Sequence, residues 1–261
     1  MDARTLLKAT SQWVPFAART ALYGSISLSL GPLTRDHRAS LWAMRRWSRV
    51  SALGLDIFVE PMGLENVPKP PFVYACNHQS LLDVLVLGGV LPHDFKWAAK
   101  RSLMKIPFLG WHLQLAGHVP VDRQAGSRAA AEVIKRFEGV LQENKPLLIF
   151  PEGTRSEDGI VRPFKNGGFY AALRQSVPVV PVALDGTHRL MRKGAIHTDK
   201  GHIPVKIGAP IQPHKGMKVT DLRDLTHAAI IELHRSIGGH VPDVVPPNPL
   251  ERGRDEQARS A

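Results

Sequence analysis

Cysteine is nearly absent from the sequence: Cys76 is the only one in 261 residues. A lone thiol closes no disulfide within the chain, which excludes a disulfide scaffold and any multi-cysteine zinc or iron–sulfur site. Such poverty in cysteine fits a reducing compartment. Long hydrophobic runs are missing too. No stretch reaches the ~18 uncharged apolar residues that a spanning helix requires. The best one, residues 22–33, is short and carries Gly24, Ser25, Ser27, Ser29, Gly31 and Pro32. A cleaved signal peptide is not expected either, because Arg19 interrupts the apolar build-up. Acidic residues are scarce beside basic ones: 23 Asp+Glu against 34 Lys+Arg leave a formal charge of +11. That balance attracts nucleic acid, an anionic membrane face or phosphorylated substrates. Metal-finger spacing, RNA- or DNA-binding signatures and regular aromatic–basic interleaving are all lacking, so no nucleic acid is expected as a partner. No carboxylate cluster completes a site with His112 and His118, or with His197 and His202. These read as surface or packing histidines, and no metal is expected.

Apolar residues make up 43% of the chain, enough for a sizeable core. Short β-rich runs bounded by Pro or Gly predict strands at 56–60, 72–76, 95–99, 118–121, 147–150, 179–184 and 205–207. Between them, apolar spacing predicts helices at 127–142, 166–175 and 219–237. The alternation predicts an α/β fold with a mixed, largely parallel sheet flanked by helices, over residues 55–240. Residues 241–261, rich in Pro and charge, read as a disordered tail.

Residues 1–54 read as an N-terminal amphipathic helical segment that binds membrane. Residues 1–56 hold eight Lys/Arg against three acids, and Trp13, Trp42 and Trp47 are three of the five tryptophans. Wound at about 100° per residue, 37–53 places Arg38, Arg45, Arg46 and Arg49 on one face. Leu41, Met44, Trp47 and Val50 fall roughly opposite, while Trp42 and Leu53 break the pattern. That face pair suits a helix lying in an anionic lipid interface. The competing reading is an ordinary helix packed on the core, with its basic face in water.

Two motifs carry chemistry. After the strand at 72–76 comes Asn77-His78-Gln79-Ser80-Leu81-Leu82-Asp83. On one continuous helix His78 and Asp83 would point about 140° apart, so they meet only if His78 precedes the helix. Ser80-x-x-Asp83 reads as a capping box that supplies the break. Such a pair serves general-base activation of an alcohol: the imidazole takes the proton and the carboxylate steadies the imidazolium. Asp83 could instead only cap its helix, and His78 only satisfy buried backbone. Cys76, inside an apolar strand, needs no reactivity. Ser80 lacks the Gly-x-Ser-x-Gly elbow of a nucleophile. The second motif, Pro151-Glu152-Gly153-Thr154-Arg155-Ser156, ends the strand at 147–150, where α/β proteins place ligands. Gly153 lets backbone approach an anion, Thr154 adds a hydroxyl, and Arg155 offers a planar fork for phosphate. Glu152 would orient Arg155 or a substrate hydroxyl. Lys165, ahead of Gly167-Gly168 and a helical run, adds a cation near a helix N-terminus.

In order along residues 77–182, four blocks resemble the glycerophospholipid acyltransferase family. They are Asn77–Asp83; Lys100-Arg101-Ser102-Leu103 with Ile106–Trp111, Gly117 and Val121-Asp122-Arg123; Phe150–Ser156 with Phe164–Gly167; and Val177–Val182. The resemblance is nearest to the members that acylate 1-acyl-sn-glycerol-3-phosphate. It implies acyl transfer from a thioester, acyl-CoA or acyl carrier protein, to the free hydroxyl of lysophosphatidate, giving phosphatidate. The donor is a substrate, and no cofactor is implied. By the same resemblance His78 is the base and Asp83 its orienting partner. Arg155, with Glu152, Gly153 and Thr154, holds the acceptor, and Lys100, Arg101 and Lys165 are secondary cations. Association with the membrane, monotopic or peripheral and on its cytoplasmic face, follows from lipid substrates beside a basic N-terminal segment. A related acyltransferase with another lysolipid acceptor, or a thioester hydrolase in which His78 activates water, are the alternatives.

Overall fold

The structure is a computed structural model that describes residues 3–34, 38–121 and 127–240. The tail reading for 241–261 and the Asp122-Arg123 part of the second block lie outside the described residues. Two helices lead the chain, α1 (Ala3–Leu30) and α2 (Arg38–Leu53). Then follow β1 (Ile57–Met62), β2 (Val73–Cys76), α3 (Leu82–Val90), β3 (Lys96–Lys100), α4 (Leu109–Leu115) and β4 (Val119–Val121). The second half holds α5 (Ser127–Gln142), β5 (Leu147–Ile149), α6 (Gly167–Arg174), β6 (Val179–Leu184), α7 (Thr187–Leu190), β7 (Gly201–Ile207) and α8 (Val219–Ser236).

Among the described residues the strands form one seven-stranded sheet, ordered β1-β7-β6-β2-β5-β3-β4. Only β6 and β7 run antiparallel; every other neighbouring pair is parallel. All seven predicted strands are present, and the predicted α/β class holds. The central strands read as unbroken apolar runs because both faces are covered. Phe72, Tyr74 and Cys76 point into the core layer shared with α2, α3 and α4. Val73 and Ala75, out of phase by one residue, point into the layer under α5, α6 and α8.

Helix α2 departs from the interfacial reading. Its apolar stripe is consumed by protein: Met44 is buried, and Leu41 and Trp47 pack on the first core layer. Two of its arginines serve α3. Arg45 Nη2 donates to Leu91 O at 2.7 Å and Arg49 Nε to Gly89 O at 2.8 Å. Cations at a helix C-terminus satisfy carbonyls that have no amide of their own. Apolar side chains that face outward include Leu6, Leu7, Val14, Leu22 and Leu30 on α1, Trp42 and Leu53 at the two ends of α2, and Ile106 and Trp111. No helix of the described residues is long and apolar enough to cross a membrane.

Candidate active site

The site sits at the carboxyl ends of β2, β5 and β6. Asn77 continues the ladder after β2 stops: its amide donates to Leu184 O and accepts from Leu184 N, both at 2.9 Å. His78 follows in a turn, and α3 starts only at Leu82, so the helical break required by the five-residue spacing is there. His78 Nδ1 lies 2.7 Å from Asp83 Oδ2. Asp83 is fully buried, and the same oxygen accepts from Gln79 N at 2.6 Å and Ser80 N at 3.0 Å. Its other oxygen accepts from the Thr187 hydroxyl. A carboxylate only accepts, so His78 carries its proton on Nδ1 and leaves Nε2 as the basic atom. The imidazole stacks on Phe150, centroids 4.1 Å apart and planes at 20°.

The capping box is half formed. Asp83 reaches back to the Ser80 amide, but the Ser80 hydroxyl turns away and donates to Met191 O at 3.0 Å. Glu152 also differs from expectation. It forms no bond to Arg155; its two oxygens hold backbone instead, accepting from His78 N at 2.7 Å and Arg162 N at 3.1 Å. Burial pushes its carboxyl up to about 7, against the pull of those two amides. Ser156 N donates to His78 O at 2.7 Å, so the Glu152–Ser156 loop is stitched to the His78 turn from both sides.

Arg155, half-buried, faces the same cavity as His78. That cavity holds about 310 Å3 and is walled chiefly by apolar side chains: Trp13 and Phe16 of α1, Trp47 of α2, Leu82, Val84 and Leu85 of α3, Leu109 and Leu113 of α4, and Met191. Lys100 joins the lining; Arg101, next along, is exposed and does not. Lys165 is set apart from His78. It stands beside Gly153 on a second cavity of about 260 Å3 beneath α5. Gly153 has φ +74°, a backbone conformation that favours glycine, and the flexible end of Lys165 lies against it. Thr154 is exposed. The structure thus gathers His78, Asp83, Arg155 and Lys100, places Gly153 and Lys165 next door, and leaves Arg101 outside. Cys76 is buried, with its thiol pushed up by burial, as a core residue should be. Among the described residues no group of three or more His, Cys, Asp or Glu could hold a metal ion.

Sequence reasoning missed Thr187, which no local motif announces; β6 delivers it from 104 residues away. Asp185 and His234 have no local signal either: they meet Gln79, inside the first motif, from 106 and 155 residues away.

A largely parallel α/β sheet ends in a buried imidazole–carboxylate pair, open to an apolar cavity with a guanidinium at its side, an arrangement that can take up a proton beside apolar surface. Residues 58–185 match the family model described as Acyltransferase. The chain is 34% identical over 197 residues to the 1-acyl-sn-glycerol-3-phosphate acyltransferase of Saccharomyces cerevisiae, covering 74% of this chain and 65% of that one. It is 33% identical over 210 residues to the enzyme of the same name from Cocos nucifera, covering 80% and 65%. The crystal structure of the 1-acyl-sn-glycerophosphate (LPA) acyltransferase PlsC from Thermotoga maritima superposes with a TM-score of 0.78 at 29% identity, covering 90% of this chain and 97% of that one. Residues 58–185 belong to the acyltransferase family, and the chain spans just under two thirds of the length of the yeast and coconut relatives.

Proposed function

We propose that the protein transfers a fatty acyl group from an acyl thioester to the sn-2 hydroxyl of 1-acyl-sn-glycerol-3-phosphate, forming phosphatidic acid. The observation that carries this reading is the His78–Asp83 pair opening onto the 310 Å3 apolar cavity beside Arg155. In this reading the cavity takes an acyl chain, with each buried methylene contributing about 0.8 kcal/mol. Arg155 holds the phosphate of the acceptor, with Lys100 and Lys165 adding positive potential. His78 Nε2 removes the hydroxyl proton as the alcohol oxygen attacks the thioester carbonyl. The new C–O bond forms, the C–S bond breaks, and the imidazolium returns the proton to the departing thiolate. Asp83 steadies the imidazolium and keeps Nε2 aimed outward. No acyl-enzyme is needed. The donor is acyl-CoA or acyl carrier protein.

Both lipids live at a bilayer surface, so the cavity must open to one. The exposed Leu22, Trp42 and Trp111, with ring contacts Tyr23–Trp42 and Phe108–Trp111, form an apolar surface suited to a monotopic or peripheral attachment. The net charge of +11 favours an anionic, cytoplasmic leaflet.

The test is phosphatidate formation by the purified chain in mixed micelles, with several lysolipid headgroups and both donors. His78→Ala should lower turnover by about 10²–10⁴-fold. Thiol release that does not need the acceptor would make the protein a hydrolase, and normal turnover in the variant would remove His78 from the chemistry.

A further inference from the structure

Gln79 lies one residue beyond His78, is 3% exposed, and does not line the cavity that His78 faces. Its amide orientation is fixed by Gly186, whose N–H can only donate and reaches Oε1 at 3.0 Å. His188 Nδ1 meets the same oxygen at 3.0 Å. Nε2 then carries two protons, and three groups stand around it: Gly159 O at 3.2 Å, Asp185 Oδ1 at 3.2 Å and His234 Nε2 at 3.1 Å. Charge decides among them. Burial alone would raise the Asp185 carboxyl, but hydrogen bonds from His234, Arg189 and Gln79 outweigh it and hold the group below the usual carboxylate range. Asp185 is therefore a carboxylate that demands donors. His234 Nε2 carries the proton and donates to Asp185 Oδ1 at 3.2 Å, and the two Gln79 protons go to Gly159 O and Asp185 Oδ1. Every hydrogen-bonding position of the Gln79 amide is then filled.

A second buried imidazole–carboxylate pair thus stands behind the first. Neither His234 nor Asp185 lines the acyl cavity. His234, 1% exposed, sits in the last turn of α8, which is otherwise remote from the chemistry. The backbone N–H of Gln79 is one of the donors that hold Asp83, at 2.6 Å. We propose that His234 and Gln79 are positioning residues: His234, through Asp185, locks the Gln79 side chain, and Gln79 in turn fixes the peptide that orients Asp83 and His78. A fully satisfied buried network of this kind rigidifies what it touches. The proposal rests on the reading of His78 as the base.

The experiment uses the full chain. His234→Ala, His234→Gln and Gln79→Ala are compared with the unaltered protein by steady-state acyl transfer to lysophosphatidate in mixed micelles, and by the Nδ1–H proton resonance of His78 in 15N-histidine-labelled protein. H234A should lower kcat about tenfold while KM for either substrate moves less than about twofold, and should broaden the His78 resonance. H234Q, whose amide can still donate to Asp185, should recover most of both. The double variant Q79A/H234A should be no slower than Q79A alone. A folded H234A with unaltered kcat and resonance overturns the proposal. So does a loss equal in H234A and H234Q, or one that matches the lost folded fraction with the resonance unchanged. Should H234A not fold, Q79A decides, with the same pattern expected and unaltered kcat and resonance overturning it. If the unaltered chain acylates no lysolipid, the functional reading fails, and the His78 resonance still settles the positioning.

Discussion

At the scale of single residues, Glu152 is a buried carboxyl beside the site whose environment moves it far from its ordinary chemistry. Its carboxyl, raised to about 7 by burial, is protonated in the folded chain at pH values where the unfolded chain has it ionised. The folded state therefore gains relative stability as pH falls from about 7 toward the ordinary glutamate value. That gain is lost as pH rises through 7, at up to about 1.4 kcal/mol per pH unit. Thermal unfolding followed between pH 5 and 8 should show this slope. Glu152→Gln should flatten it and lower stability by about 1–3 kcal/mol, since an amide can accept from only one of the His78 and Arg162 N–H groups. The motif around Glu152 was visible in the sequence; its job was not. A carboxylate beside Arg155 invites an ion pair, but its actual partners are backbone amides, one of them 74 residues away. The His78–Asp83 pair, by contrast, was legible because five residues and one helical break fix its geometry locally.

At the scale of elements, α2 and α3 meet through small residues. A Cβ on Gly88 would lie 2.5 Å from Ser48 Oγ, and Ser48 is fully buried. An alanine in a helix interior ordinarily gains about 1 kcal/mol over glycine. Here overpacking, typically about 1–3 kcal/mol, is expected to win. Gly88→Ala should lower the denaturation midpoint, and adding Ser48→Gly should restore much of it; a stabilised G88A single variant would contradict this contact. The sequence showed α2 as a helix with an apolar stripe but could not say what would cover the stripe, because its partners α1 and α3 are defined only by packing. The strands were legible as apolar runs. β7 begins at Gly201, four residues before the predicted start, because its first half alternates exposed His202 and half-buried Pro204 with buried Ile203 and Val205, which hides it from a search for unbroken runs.

At the scale of the whole molecule, the N-terminal helices wall the cavity beside His78 as well as facing outward. Phe16, Met44, Trp47 and Ala52 all belong to the first core layer, so removing residues 1–54 would strip the cover from α3 and test folding rather than membrane binding. Substitutions separate the two. Leu22→Asp with Trp42→Asp, at positions 57% and 54% exposed, should leave the unfolding temperature close to that of the unaltered chain. Flotation with anionic vesicles should fall by at least about tenfold, since each apolar side chain contributes about 1.5–3 kcal/mol when fully buried. Undiminished flotation would place the lipid-binding surface elsewhere.

The first turns of α1 are clasped to the segment before β7. Lys8 pairs with Asp199 at 2.6 Å, Gln12 exchanges two hydrogen bonds with Thr198, and Trp13 Nε1 donates to Ile196 O at 2.5 Å. Lys8 and Asp199 stand 191 positions apart in the sequence, so this clasp closes only once the segment before β7 has been made. Trp13, held at one end of the clasp, therefore takes its place in the wall beside His78 late in folding.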